Sequence, residues 1–269
     1  MDLSLHACKG IKSTSSNAYI LCLHMPGEKD ICMDEWTYFE KNLQEGYAGD
    51  PEHSIGVLET MLACNTLPTL IDYHWERLDN SIQQLSLPKP NDFHKHSFYQ
   101  MIEDCLQQLP VYPMYKLRLL YYLDQNIPKI IIRCQQWIDN SESRLVCGII
   151  PGIKKEIHTW SHIKSSKRAL YSQATAIAKA KGWQDGILLN QFNRPIESTI
   201  ANLVIEKQGK LYTPPLSEGC IGGVMRQYLC RQGKLFEKPI TMEALQSADA
   251  VYLINAVRGM RKIDALLWA

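Results

Sequence analysis

Two stretches of the chain hold residues whose types and spacing suit amine and acid–base chemistry. One is SHIKSSKRALY, which contains Lys164; the other runs from Ile196 to Gln227, IESTIANLVIEKQGKLYTPPLSEGCIGGVMRQ. A lysine amine attacks a carbonyl only when unprotonated, and burial or neighbouring positive charge favours that state by lowering its pKa. Lys167 and Arg168 stand where they either provide such charge to Lys164 or lie in solvent. Alone, Lys164 reads as a surface lysine; what sets it apart is the alanine-rich segment after it and the acid, Glu197, at a strand end further on. Glu197 reads either as a plain turn residue or as a carboxylate that pairs with a protonated ring nitrogen and keeps the ring electron-poor. In GCIGGVMR the backbone N–H groups of Gly223, Val224 and Met225 fall at a helix start, where phosphate is favoured and glycine allows close approach. Glycine pairs also cap helices that bind nothing.

The elements that must position these residues follow from hydrophobic spacing. RALYSQATAIAKAKG predicts a helix, with Lys179 and Lys181 at its negative end and Gly182 just beyond it. GILLN and IANLVIE read as strands around the turn FNRP, QGK turns the chain back into LYTP, VMRQYLCRQ reads as a helix and AVYLINAV as a late strand. Upstream, NAYILCLH is a strand ended by the turn MPGEKD, DEWTYFEKNLQEGYAGDPEHS has no regular pattern, and SIGVLETML is strand-like. LPTLIDYHWERLDNSIQQL shifts to helical spacing through Ile71, Trp75, Leu78 and Ile82, a face expected to pack on a sheet. After the prolines of LPKPNDF, a second helix runs through Phe98, Ile102, Cys105 and Leu109. MYKLRLLYYLD and KIIIRCQQWI then make an antiparallel pair around DQNIP. A boundary is expected in SRLVCGIIPGIKKE, giving domains at residues 1–145 and 146–269.

Bulk properties exclude several classes. The 29 Lys plus Arg nearly balance the 28 Asp plus Glu, so no overall field recruits nucleic acid or an anionic membrane. The nine cysteines are scattered without a CxxC pair, the pattern of reduced, buried thiols rather than a disulfide frame or a metal site. MDLSLHACKGIKSTSS lacks the shape of a secretory signal, and no apolar run is long enough to span a bilayer. A soluble, cytoplasmic protein acting on a small molecule is the expectation. The chain also lacks both the glycine-rich dinucleotide fingerprint and the P-loop, and its strands and helices do not repeat as a doubly wound sheet would.

Taken in order, IKSSKR, then ILLNQFNRPIESTIANLVIEKQGKLYTPPLSEGCIGGVMRQ, with DYHWERLDNS and GVLETM upstream, resembles the class IV (fold-type IV) pyridoxal-phosphate enzymes. The resemblance implies an α/β (α+β) fold of two mixed-sheet domains with the pyridoxal 5'-phosphate between them, and a homodimer. It places the cofactor-bonding lysine on Lys164 and the acid facing the pyridine nitrogen on Glu197, with Asn202 completing E-x-x-x-x-N. Tyr212, Thr213 and Pro214 match the next element, and Gly222 to Arg226 match the glycine turn. H-x-x-R-L puts Arg77 on the cofactor phosphate. Within the family, IGGVMRQYLC and INAVRGMRKI look most like the branch that eliminates pyruvate from 4-amino-4-deoxychorismate to give 4-aminobenzoate. An aminotransferase acting on branched-chain or D-amino acids is the alternative, since both would use Lys164 and Glu197. Arg258 in NAVRGMR is a candidate for a substrate carboxylate, or an exposed arginine.

Overall fold

A computed structural model describes the backbone of residues 18–23 and residues 55–268, apart from 65, 125 and 140–142. The turn expected at MPGEKD and the irregular DEWTYFEKNLQEGYAGD lie outside the described residues. Two units emerge, residues 1–138 with 165–167, and residues 139–164 with 168–269.

In the first unit, strands β1 (Ala18–Leu23), β2 (Val57–Ala63), β3 (Tyr115–Asp124) and β4 (Ile127–Gln136) form an antiparallel sheet in the order β1-β4-β3-β2. Helices α1 (Ile71–Gln84) and α2 (Lys95–Gln107) bury the stripes that their spacing predicts, Ile71, Trp75, Leu78 and Ile82 on one, Phe98, Ile102 and Cys105 on the other, while Leu109, read as the last position of the second stripe, lies past the end of α2 in the same core. Both stripes share one core with Met61, Leu117, Leu119 and Tyr121 of the sheet. His94 caps α2, its Nδ1 accepting from Ser97 N while Ser97 Oγ accepts from His94 N. On β2 the core-facing positions run Val57, Glu59, Met61, Ala63, so a carboxylate sits where period two calls for an apolar side chain. Residues 165–167 also belong here: Ser165 bridges Val57, and Ser166 exchanges hydrogen bonds with Gly56.

The second unit begins at residue 139, ahead of SRLVCGIIPGIKKE. This stretch, expected to hold the boundary, is mostly strand β5 (Val146–Lys155), because its apolar run is buried on both faces. Helix α3 (Ala169–Ala180) carries the chain to β6 (Asp185–Asn190), which lies parallel to β5, a βαβ crossover. Tyr171, Ala174 and Ala178 are the buried face of α3, packing with Ile150, Leu188 and Ile196. The helix stops as the sequence predicts: Gly182 takes φ of 73°, its N–H reaches Lys179 O at 3.0 Å, and Trp183 N reaches Ala178 O at 2.9 Å, a Schellman ending.

Strands β7 (Pro195–Ser198), β8 (Asn202–Lys207) and β9 (Lys210–Thr213) then run antiparallel in turn, and Gln208 and Gly209, at φ of 52° and 71°, form the tight hairpin read at QGK. Helix α4 (Val224–Arg231), β10 (Phe236–Glu237), helix α5 (Met242–Gln246), β11 (Ala250–Asn255), β12 (Gly259–Lys262) and β13 (Ala265–Leu267) complete the unit. The sheet order is β10-β9-β8-β7-β6-β5-β13, with β11 pairing β8 and β12. Its second core gathers Cys147, Ile149, Ile187, Leu203, Ile205 and Leu253. Among the described residues no helix is long and apolar enough to cross a membrane.

Candidate active site

Glu197 lies in β7, a short strand of its own rather than a turn, with Leu188 of β6 on one side and Asn202 of β8 on the other. What separates β7 from β8 is the buried carboxylate of Asp185, which accepts from Ser198 Oγ at 2.6 Å, Thr199 N at 3.1 Å and Thr199 Oγ1 at 2.7 Å. The strand read across IANLVIE therefore starts only at Asn202. The Glu197 side chain is 2% exposed, and its carboxylate accepts three hydrogen bonds. Lys155 Nζ and Tyr171 OH both donate to Oε1 at 2.8 Å, and Ile221 N donates to Oε2 at 2.9 Å.

Lys155 ends β5 and is buried. Its ammonium donates to Ser161 O at 3.0 Å, Tyr171 OH at 2.7 Å and Glu197 Oε1 at 2.8 Å, one acceptor for each proton. Burial pushes the Tyr171 phenol well above its ordinary value and the Glu197 charge adds to that, so the hydroxyl stays neutral and donates. The Arg168 guanidinium stacks 3.7 Å from the centre of the Tyr171 ring and donates to Thr199 O at 2.9 Å. Burial lowers its pKa, with Tyr171 and Glu197 opposing, and an arginine remains charged under that pressure. Burial, and then Lys155, hold His162 below the usual imidazole range.

Ile221 links this cluster to the glycine turn. Its carbonyl accepts from Asn202 Nδ2 at 2.7 Å and from Gly223 N at 2.9 Å, and Gly222 N donates to His162 O at 2.9 Å. Gly223 is the N-cap of α4 and offers no side chain to the helix start, which leaves the first-turn amides, those of Val224 and Met225 among them, uncapped. Glycine is required there: a Cβ on residue 223 would sit 1.9 Å from Asn202 Oδ1. Arg226, in contrast, is buried and structural, donating to Pro214 O at 2.9 Å and to Glu237. Thr213 of the Tyr-Thr-Pro element likewise donates from Oγ1 to Leu203 O at 2.8 Å.

Lys164 is half-buried in the loop between β5 and α3. Of its expected cationic neighbours, Lys167 is exposed and Arg168 is taken up by Tyr171. Arg258 is exposed at the β11–β12 turn, where Asn255 Oδ1 accepts from Val257 N at 3.0 Å and Arg258 N at 2.8 Å. Arg77 belongs to the first unit: its Nε and Nη2 hold the two oxygens of Glu59 at 2.7 and 2.5 Å, and His74 Nδ1 lies 2.6 Å from Glu59 Oε2. Burial alone would raise the Glu59 carboxyl, but Arg77 and His74 outweigh it and bring it down to about 2.

In the second unit the structure thus brings together Glu197, Asn202 and the Gly222–Gly223 turn, and adds residues that sequence reasoning missed: Lys155, Tyr171 and Asp185. These residues suit a pyridoxal phosphate. A carboxylate offers about four lone-pair positions and Glu197 has three filled, which leaves an acceptor for a ring N–H. The uncapped start of α4 suits a phosphate.

Two sheet-bearing α/β units of this topology are the architecture of the fold-type IV pyridoxal-phosphate enzymes. The chain belongs to the family described as amino-transferase class IV, whose model matches residues 56–266. Among curated relatives, it is 28% identical over 135 residues to an aminodeoxychorismate lyase of Vibrio harveyi, covering 48% of this chain and 49% of that protein. It is 25% identical over 225 residues to the aminodeoxychorismate lyase of Bacillus subtilis, covering 76% and 75%. The match thus spans about half the length of the Vibrio relative. Among solved structures, a Legionella pneumophila protein provisionally named 4-amino-4-deoxychorismate lyase superposes with a TM-score of 0.70 at 25% identity, covering 78% of this chain and 82% of that one. A branched-chain aminotransferase of Thermoproteus uzoniensis superposes with a TM-score of 0.70 at 19% identity, covering 93% and 87%.

Proposed function

We propose that this class IV enzyme eliminates pyruvate from 4-amino-4-deoxychorismate and releases 4-aminobenzoate. The observation that carries the chemistry is the buried Glu197 carboxylate, held by three donors with an acceptor position to spare. The lyase names of the Vibrio and Bacillus relatives support the substrate. Pyridoxal phosphate, when bound, supplies an electron sink for the pair left by a departing proton. In this reading Lys164 anchors the cofactor and takes the proton from the carbon bearing the amine, while Glu197 holds the ring nitrogen. The amides of Gly223, Val224 and Met225, together with Arg77, hold the phosphate. Arg258 meets a substrate carboxylate. The enolpyruvyl C–O bond then breaks, the enolpyruvate gains a proton to leave as pyruvate, and the remaining ring becomes aromatic.

The aminotransferase reading has the broader support across the comparisons. The family model carries that description, and the aminotransferase fold covers 93% of the chain. One assay separates the two. Given 4-amino-4-deoxychorismate and no keto-acid acceptor, a lyase makes 4-aminobenzoate and pyruvate in equal amounts over many turnovers, whereas an aminotransferase stalls once each molecule has turned over. Exchange between amino acids and keto acids with no aromatic product would transfer the assignment. Borohydride should trap the cofactor on Lys164 in either case, and a label on another lysine would refute the shared site. A homodimer in the cytoplasm goes with this reading; a fully active monomer in sedimentation would remove it.

A further inference from the structure

Three elements of the second unit meet the carboxylate of Glu197. Lys155 approaches from the end of β5, Tyr171 from α3, and the Ile221 amide from the turn before α4. Arg168, Cys220 and His162 complete the titratable surroundings. The Cys220 thiol is pushed up to about 12 by burial and then by Glu197, and His162 is pushed down, so neither brings a charge. Arg168 is a cation, but its contacts are the Tyr171 ring and Thr199 O. Among the described residues, Lys155 is therefore the cation in direct contact with the carboxylate.

We propose that Lys155 is a positioning residue: through its ion pair with Glu197 it keeps that carboxylate anionic and so keeps the shared proton on the nitrogen of the bound cofactor ring. The inference rests on the reading of Glu197 as the partner of that nitrogen. A buried carboxylate and a ring nitrogen compete for one proton. A cation touching the carboxylate makes the oxygen the weaker base and leaves the proton on nitrogen; without it, desolvation favours a neutral acid beside a neutral ring. Tyr171 serves the same end through its hydroxyl, which accepts from Lys155 and donates to Glu197. Because Lys155 spends all three of its protons on Ser161, Tyr171 and Glu197, it is a fixed counter-charge rather than an amine open to reaction.

The test reads the protonation state of the ring in the holoenzyme by NMR of cofactor labelled with heavy nitrogen at the ring position. Lys155→Met should move the resonance by more than half of the distance from the protonated to the unprotonated position. Tyr171→Phe, which keeps the ring and removes one donor, should move it part of the way, and Lys155→Arg should restore most of the wild-type position. Borohydride labelling of Lys164 in each variant checks that the cofactor is still seated. Glu197→Gln separates the two levels of the argument: if its resonance stays at the wild-type position, the Glu197 reading fails. If Glu197→Gln moves it while Lys155→Met and Tyr171→Phe do not, the role proposed for Lys155 is overturned. Should Lys155→Met fail to fold, Lys155→Gln, which keeps a donor and removes the charge, takes its place: a moved resonance supports the role and an unmoved one overturns it.

Discussion

Gly223→Ala tests the glycine turn directly, because the structure says what the added methyl meets. It would lie 1.9 Å from Asn202 Oδ1 and 3.1 Å from Asn202 Cγ, far inside contact distance. Asn202 is only 4% exposed and its amide donates to Ile221 O at 2.7 Å, so it has little room to yield. If the amide swings away, the protein loses a buried hydrogen bond worth about 1 kcal/mol and leaves Ile221 O less well satisfied. If the turn backs off instead, overpacking strain of about 1–3 kcal/mol remains. By either route the loss is about 1–3 kcal/mol in urea unfolding of the apoprotein. Because Ile221 also donates to Glu197, weaker retention of pyridoxal phosphate in equilibrium dialysis should accompany the loss. Asn202→Ala combined with Gly223→Ala removes the clash, so the double variant should cost less than the two singles added, by about 1 kcal/mol or more. A Gly223→Ala protein within about 0.5 kcal/mol of wild type and with unchanged cofactor retention would refute the reasoning.

The first unit should be acid-sensitive through Glu59. Its folded carboxyl is depressed from 4.5 to about 2, so the stabilisation is complete above 4.5 and is lost as pH falls through about 2. This amounts to about 3 kcal/mol, and Glu59→Gln should flatten that acid limb; an unchanged slope would sink the assignment. Arg77→Ala should cost about 3–5 kcal/mol by stranding the Glu59 charge, so its phosphate role must be read in Glu59→Gln and its double variant with Arg77→Ala, which should differ in cofactor affinity. Glu197→Gln should lower turnover and, by leaving the Lys155 ammonium buried without its counter-charge, destabilise the second unit by about 3–5 kcal/mol in thermal or urea unfolding; Lys155→Met in the same chain should recover part of it.

Where hydrophobic spacing is regular, the sequence was enough. The stripes of α1 and α2, the β3–β4 hairpin and the glycine stop of α3 follow from periods and turn residues. Lys155 was hidden by a local irregularity. Ile150 packs in the cluster that contains Tyr171, and five residues on, a regular strand would point Lys155 to the opposite face. The register breaks between Ile149 and Lys154, around Gly152 at φ of 73°, and returns Lys155 to the Tyr171 side. Asp185 was hidden for a different reason: its role is to hold the backbone and hydroxyl groups of the Ser198–Thr199 corner, and no spacing rule announces a carboxylate that acts on a turn more than a dozen residues away. Glu59 shows the reverse failure: the two-residue alternation of β2 places it on the core-facing side, where its charge alone would have turned it outward.

The strand that carries Lys155 also sets an order of events during synthesis. Leu145, just before β5, is fastened to Asp264 by hydrogen bonds spanning 119 residues, and β13 then lies along the start of β5, Val146 to Gly148. A ribosome needs on the order of 10 s to make a stretch of that length. Throughout that interval the edge of β5 that β13 covers waits without its native neighbour, whereas Tyr171 and Glu197, 16 and 42 residues beyond Lys155, are made much earlier. A nascent chain halted before Asp264 therefore presents an open sheet edge, the kind of surface on which chains pair with one another.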